Sequence, residues 1–364
     1  MKRKILFICP RFHTNLFQTI KTLNKKYRVD MLVANKQIIE DYTFLKPIIL
    51  KESIISKILM KIFIKFNKNN RFYFPKFIKL YDYLKNKLPD LIILRNYNKI
   101  FGLLVIIISK FLGIKIVFYE QLDKNFFKKN KLKLLFFSIR NYILNSKFYT
   151  PIFNKFEKNI FYYKFFYVPF LVEIKKKNKK KNKTPNFLFV GKFIPRKNLL
   201  FLIKIFSELN YNYDFKLYII GEVSSQSHKN YYELVRKEIS INRINNKIKI
   251  YKNLKYKKIF NYYRLCDVLI MPSINEPASI SVLESLGQGT PVICGNNNGT
   301  NFYIKNKYNG FIFDQNNKKE LKKKILFFIK SKKNINKFSR NSFIYFKKNY
   351  SEKKFLNQFE KLFK

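Results

Sequence analysis

Val268-Leu-Ile-Met271, then Glu276-Pro-Ala-Ser-Ile-Ser-Val-Leu-Glu284, then Pro291-Val-Ile-Cys294 decide how this chain folds. Two short apolar runs read as buried parallel strands, and the segment between them reads as a loop feeding a helix. A helix that returns the chain to a parallel neighbour places its N-terminus, and the loop before it, at the carboxyl edge of the sheet. Open α/β sheets bind ligands at that edge. Glu276 and Glu284 flank the helix start with seven residues between them. Ser279 is expected to cap the helix and to leave the amides of Ile280, Ser281 and Val282 facing outward, where they suit an anion. A helix beginning near Ile280 puts Glu284 about one turn in, on the order of 6 Å along the axis. Helix amides suit a diphosphate and carboxylates suit sugar hydroxyls, so a nucleotide-sugar matches both parts.

The same alternation of strand and helix runs through the whole chain. In the first half, strands are expected at Lys4–Cys9, Arg28–Val33, Asp90–Leu94, Lys115–Tyr119 and Phe148–Ile152. Helices are expected at Asn15–Leu23, Ile54–Phe66, Phe77–Lys87, Phe101–Phe111 and Lys131–Leu144. The run Ile174-Lys-Lys-Lys-Asn-Lys-Lys-Lys-Asn-Lys-Thr184 interrupts the pattern as a solvated connector. The pattern then restarts with strands near 186–190, 215–220, 247–251, 268–271, 291–294 and 310–313 and helices between them. The expected fold is α/β, with two Rossmann-like doubly wound domains facing a cleft. The domains are expected at 1–172 and 185–347, joined by the basic linker 173–184. A C-terminal helix within 348–364 would pack back on the first domain.

Of 364 residues, 75 are Lys or Arg and 22 Asp or Glu, giving a formal net charge of +53. Such a balance raises a nucleic-acid reader as one reading. Only 11 of the basic residues are Arg, however, and the rest of the excess is Lys beside abundant Asn, Ile, Phe and Tyr. These residues share AT-rich codons, so base composition accounts for much of the charge. No zinc-finger spacing or basic zipper accompanies it, and a specific nucleic-acid partner is not expected. A surface this positive would still favour peripheral contact with an anionic membrane. Cys9, Cys266 and Cys294 lie in or beside apolar runs and are expected as buried free thiols, which points to a cytoplasmic setting. The most apolar run, Ile100–Ile108, falls well short of the ~20 residues of a membrane span.

Other candidate residues stand at the ends of predicted strands. After the first strand of the second half comes Gly191-Lys-Phe-Ile-Pro-Arg-Lys-Asn198, where Lys192, Arg196 and Lys197 would neutralise a diphosphate. Gly221 ends the next strand and suits close approach of backbone to ligand, with a simple turn as the equal alternative. In the first half, His13 follows strand one and would orient or deprotonate an acceptor hydroxyl, unless it only enters the next helix. Arg95 and Glu120 follow two further strands and are acceptor-side candidates, with a plain polar loop as the equal alternative for each. His228, in a Ser-rich stretch, reads as an exposed loop residue. The chain has no Asp-x-Asp, no Walker loop, no strand followed by Gly-x-Gly-x-x-Gly and no Gly-x-Ser-x-Gly. No metal site and no cofactor beyond the co-substrate are therefore expected.

Four pieces in order resemble the donor domain of the retaining glycosyltransferases of family 4, also called group 1, with the GT-B fold. They are Phe189-Val-Gly-Lys-Phe-Ile-Pro-Arg-Lys197, Leu217-Tyr-Ile-Ile-Gly-Glu222, Cys266-Asp-Val-Leu-Ile-Met-Pro-Ser273, and Glu276 through Ile293. The resemblance implies metal-independent transfer of a sugar, with retention, from a nucleotide-diphosphate-sugar to a hydroxyl of a saccharide or lipid-linked saccharide. It implies that Glu276 contacts the donor sugar, Glu284 the ribose, Lys192 and Lys197 the diphosphate, with amides near Ser279–Ser281 assisting. A place in surface polysaccharide or glycolipid assembly follows from the same likeness. A non-catalytic relative acting in a complex is the alternative. Three positions depart from the family: Lys192 stands where Arg is usual, Pro277-Ala-Ser279 replaces Gly-Phe-Gly, and Arg11–Asn15 replaces a Gly-rich loop.

Overall fold

The computed structural model describes residues 2–36, 40, 42–63, 72–121, 147–152, 164–175 and 182–363. The expected helix at 131–144, the end of the one at 54–66 and residues 176–181 of the linker lie outside the described residues. Two units emerge among the described residues, one built from those up to Leu171 together with those from Glu352 onward, the other from those of Val172–Ser351.

The N-terminal unit is a six-stranded sheet of β1 (Lys4–Arg11), β2 (Arg28–Asn35), β3 (Leu91–Leu94), β4 (Ile116–Tyr119), β5 (Lys147–Thr150) and β6 (Lys164–Tyr167). Their spatial order is β2-β1-β3-β4-β5-β6, and every pair is parallel. Strands β1, β3 and β4 are almost wholly buried, which is why they read as continuous apolar runs rather than as alternation. Helices α1 (Phe17–Lys26), α2 (Ile54–Ile62), α3 (Phe77–Lys87) and α4 (Ile100–Phe111) connect the strands. The chain's last helix, Glu352–Phe359, packs in this unit. Glu352 pairs with Lys25 at 2.6 Å, Glu360 pairs with Lys26, and Phe363 stacks on Tyr27.

The C-terminal unit has the order β12-β11-β10-β7-β8-β9, again all parallel. Its strands are β7 (Asn186–Lys192), β8 (Lys216–Glu222), β9 (Ile248–Lys252), β10 (Val268–Met271), β11 (Val292–Gly295) and β12 (Gly310–Phe313). Between them lie α5 (Leu199–Leu209), α6 (Gln226–Ile241), α7 (Tyr256–Leu265) and α8 (Ile280–Gly287), and α9 (Lys318–Ile329) and α10 (Lys332–Asn349) follow. The core is unusually aromatic: Phe187, Phe189, Phe193, Phe206 and Phe215 are all fully buried in one cluster. Each such side chain contributes about 1.5–3 kcal/mol by leaving water. Strand order reverses between β7 and β10, so the loops after these two strands diverge to opposite faces and leave a crevice.

Expected and observed elements agree closely, with three differences. Strand β6 was not expected, because Tyr162-Tyr-Lys-Phe-Phe-Tyr-Val168 carries neither alternation nor turn punctuation. Helix α6 starts at Gln226, within the Ser-rich stretch read as a loop, capped by Ser225, whose hydroxyl accepts from the His228 amide. Ser279 occupies the N-cap position of α8 but makes no capping bond; its hydroxyl faces that of Ser281 at 2.9 Å. Cys9, Cys266 and Cys294 are buried and unbridged, and burial pushes the Cys9 thiol up to about 12.

Candidate active site

The crevice between β7 and β10 collects most of the candidate residues. After β7 the chain makes a 3-10 turn, Pro195–Lys197, and leaves it through Asn198, whose φ of 54° is left-handed. That turn folds Lys197 back over the strand end. A Cβ on Gly191 would come within 3.3 Å of the Lys197 stem, so Gly191 leaves room for the lysine. After β10, the Ile274 amide donates to the Arg196 carbonyl at 2.9 Å, tying the two loops together. Asn275 is also left-handed, with φ of 49°. The Glu276 amide donates to the Asn297 carbonyl and the Glu276 carbonyl accepts from the Gly299 amide, which fixes this residue against the loop after β11.

The outcome is a tight charge cluster. Oε2 of Glu276 accepts from Lys197 Nζ at 2.6 Å and pairs with Arg196 Nη1 at 2.6 Å. Glu276 is 6% exposed and Lys197 8%. Burial lowers the Lys197 ammonium from its ordinary value, and the adjacent Glu276 carboxylate pulls it back up. The Arg196 side chain is 41% exposed, so it is the cation freest to turn toward an incoming anion. One carboxylate against two cations leaves an excess positive charge at the head of α8, where amides add to the same sign.

Lys192 is separate from this cluster. The register of β7 and β8 places Lys192 opposite Glu222, and the two pair at 2.9 Å. Glu222 also accepts from the Ser224 hydroxyl at 2.6 Å, and the Ser224 amide donates to His228 Nδ1 at 3.2 Å. The expected exposed loop His228 is therefore half-buried in the first turn of α6 and joined to the Lys192 pair. Burial, with Lys192 nearby, lowers its proton affinity.

Gly221 has a different reason than ligand approach. A Cβ there would meet the Phe193 ring at 2.1 Å, so the space above Gly221 belongs to a buried aromatic that also packs edge-on against Tyr232. Gly221→Ala is expected to lower stability by about 1–3 kcal/mol through overpacking. Denaturant unfolding measures the loss, and an unchanged midpoint would refute the packing account.

Glu284 lies on α8 one turn beyond Ser279 and is 2% exposed. Each of its oxygens accepts one tyrosine hydroxyl. Oε1 accepts from Tyr256 at 2.5 Å and Oε2 from Tyr263 at 2.7 Å. Burial raises the carboxyl above its ordinary value, and the two tyrosine hydroxyls oppose that rise. Sequence reading missed both tyrosines, although their spacing puts them two turns apart on one face of α7. It also missed Asn298, fully buried and bridged to Glu276, whose Nδ2 has no hydrogen-bond partner among the described residues. A depression of ≈ 410 Å³ near the edge strand β9, lined by Glu233, Arg236 and Lys237, contains none of the candidate residues.

In the N-terminal unit the switch of strand order falls between β1 and β3. Cys9, Pro10, Arg95 and Lys99 line a cavity of ≈ 20 Å³ there. The Arg95 amide donates to the Ile8 carbonyl, and its guanidinium lies 5.3 Å from the centroid of the Tyr119 ring. Nη1 of Arg95 is buried without a hydrogen bond among the described residues. His13 is half-buried beyond β1, with its carbonyl accepting from Leu16. Glu120 follows β4, its amide donating to the Tyr149 carbonyl.

Comparison with known proteins places this geometry. Residues 172–344 match the family model described as glycosyl transferases group 1. An uncharacterized glycosyltransferase of Methanocaldococcus jannaschii is 27% identical over 139 residues, which cover 38% of this chain and 36% of that relative's own length. Among solved structures, a glycosyltransferase from Rickettsia africae superposes with a TM-score of 0.75 at 16% identity, covering 100% of this chain and 98% of its own. The Anabaena protein HepE, crystallised with UDP and glucose, superposes with a TM-score of 0.73 at 13% identity, covering 99% of this chain and 98% of its own. The chain thus has the two-domain α/β fold of GT-B glycosyltransferases, and its C-terminal unit carries the sequence pattern of glycosyl transferases group 1.

Proposed function

We propose that this protein transfers a sugar from a nucleotide-diphosphate-sugar to a hydroxyl acceptor, with retention and without a metal. The observation that carries the reading is the cluster of Glu276, Lys197 and Arg196, set at the strand-order switch and at the head of α8. The departing diphosphate gains negative charge as the anomeric carbon–oxygen bond breaks. Lys197, Arg196, the helix amides and Lys192 stabilise that charge where water is scarce. Glu276 holds hydroxyls of the donor sugar. Its backbone is fixed on both sides, so the carboxylate needs no reorganisation.

The acceptor oxygen bonds to the anomeric carbon on the face the diphosphate leaves, which gives retention. His13 is the candidate to take the acceptor's proton, with Arg95 and Glu120 orienting the acceptor. The acceptor class is a saccharide or lipid-linked saccharide of surface polysaccharide or glycolipid assembly. The metal-free route rests on the absence of Asp-x-Asp from the sequence. Three unbridged thiols fit a cytoplasmic setting.

Glu284 meets the ribose hydroxyls through the second lone pair of each oxygen or by taking the place of a tyrosine hydroxyl. Tyr256, at 9% exposure, is the outer of the two. Tyr256→Phe is therefore expected to leave donor affinity unchanged or to tighten it, as read by calorimetric titration. A tenfold weakening would instead make Tyr256 a donor contact.

A panel of nucleotide-sugars screened by thermal shift tests the reading as a whole, UDP-glucose first because HepE was crystallised with UDP and glucose. A true donor at 100 times its Kd stabilises by about 2.7 kcal/mol. Chromatography of the reaction would then show the free nucleotide diphosphate. If no nucleotide-sugar shifts the melting point, the protein is a non-catalytic relative.

A further inference from the structure

We infer that helices α2, α3 and α4 form a docking face that seats the protein on an anionic lipid bilayer. Helix α2 shows the case most plainly. Ile54, Ile55, Ile58 and Ile62 are 49–68% exposed. At 100° per residue they fall within an arc of about 100°. The helix is nevertheless well anchored on its other side. Ser53 caps it, the buried Ser56 hydroxyl donates to the Phe72 carbonyl at 2.9 Å, and the same hydroxyl accepts from the Phe74 amide at 3.1 Å. Four isoleucines on a firmly held helix thus point to solvent.

Helix α4 repeats the arrangement. Leu103, Ile107 and Phe111, spaced four apart, are 45–78% exposed, while Val105 and Ile108 on the opposite side lie in the core. On α3, Phe77 and Ile78 are exposed while Leu80 and Leu84 are fully buried. The inner sides of all three helices reach one hydrophobic cluster with Leu6, Ile92 and Leu94, Met60 serving for α2, so the helices share one face of the sheet. Their outer stripes accordingly lie on the same side of the sheet. Exposed hydrophobics of the C-terminal unit are sparser: Tyr211, Leu265 and Ile344 stand on separate elements, and Leu234 and Ile241 share α6. Soluble proteins rarely expose apolar side chains in so concentrated a group.

Charge chooses the occupant. Exposed Lys51, Lys57, Lys61, Lys76, Lys79 and Lys110 stand on or beside these helices, against Glu52 and Asp82. Apolar side chains rimmed by lysines match the boundary between acyl chains and anionic headgroups. Insertion is confined to that boundary. Helix α4 has 12 residues, and among the described residues no helix is long and apolar enough to cross a membrane.

Co-sedimentation of the full chain with vesicles tests this without any donor or acceptor, so its outcome is independent of the sugar-transfer reading. Vesicles of phosphatidylglycerol and phosphatidylethanolamine should pellet the wild type at least about tenfold more strongly than phosphatidylcholine vesicles. Ile58→Glu with Ile62→Glu should reduce that binding on the order of tenfold or more. Leu234→Glu with Ile344→Glu, the same charge change on exposed sites of the other unit, should not. Should the first pair melt early, Ile107→Ser with Phe111→Ser provides the same reading from a different helix. Equal loss with both glutamate pairs would mean that bulk charge alone binds, and would overturn the docking face. So would wild-type protein that ignores anionic vesicles, or an oligomer in sedimentation velocity that Ile58→Glu with Ile62→Glu converts to monomer.

Discussion

Lys197→Met is expected to lower the turnover of sugar transfer by at least about a hundredfold, with a much smaller change in KM for the donor. The split follows from where the charge sits. Lys197 Nζ is held on the Glu276 carboxylate in a nearly dry pocket. Its strongest interaction with a diphosphate comes when the sugar–phosphate bond breaks and the oxygens gain charge. Arg196, more exposed on the same carboxylate, contributes to binding of the ground state and keeps KM from rising steeply. Glu276→Gln should show a comparable loss, because the amide keeps the shape and loses the charge that positions both cations. A buried pair broken by removing one partner is also costly to folding, by about 3–5 kcal/mol. Melting curves for both variants must therefore accompany the rates. Turnover of Lys197→Met within a few-fold of wild type, on folded protein, would remove this lysine from the mechanism.

Tyr263→Phe is expected to lower stability by about 1.5–3 kcal/mol, and Glu284→Gln in the same chain to restore most of it. Tyr263 is fully buried, and its hydroxyl is the donor to Oε2 of Glu284. Without that donor a buried carboxylate is left, among the described residues, with the Tyr256 hydroxyl. Neutralising the acid removes the penalty. The pH dependence has a definite sign. Burial raises the Glu284 carboxyl above 4.5 in the folded protein, so between 4.5 and that raised value the native state holds more protons than the unfolded chain. Its contribution to stability is complete below 4.5 and declines as pH rises through the folded value, by no more than about 1.4 kcal/mol per pH unit. Glu284→Gln should flatten this part of the profile. Tyr263→Phe, by removing a bond that favours the carboxylate, should move the decline to higher pH. Guanidinium unfolding at intervals between pH 4 and 8 distinguishes the three chains.

The central strands β1, β3, β4, β10 and β11 were legible in the sequence because each is a short apolar run, and burial on both faces leaves no alternation to misread. Strand β6 was not, since its Lys-Phe-Phe-Tyr run follows Phe161-Tyr-Tyr163 with no turn signal between them. That the segments after β7 and β10 lie at the carboxyl edge of one sheet was legible for the same reason, and the strand order sets them on either side of the switch. What spacing could not reveal is pairing. It grouped Lys192 with Lys197, whereas strand register gives Lys192 to Glu222 and the 3-10 turn gives Lys197 to Glu276. Gly221 was read by its freedom of backbone, yet the Phe193 ring occupies the space its missing side chain leaves. The two tyrosines on Glu284 come from a helix, 28 and 21 residues upstream in sequence. Their spacing shows that they share a face but not what they face.

Calorimetric titration of UDP into wild type and Lys197→Met, with other nucleoside diphosphates in parallel, tests the central claim most directly. The account predicts that one diphosphate binds the wild type and that its affinity falls at least about tenfold when the buried charge is removed. A diphosphate that binds both proteins equally well would contradict it, placing the phosphates somewhere other than the crevice between β7 and β10.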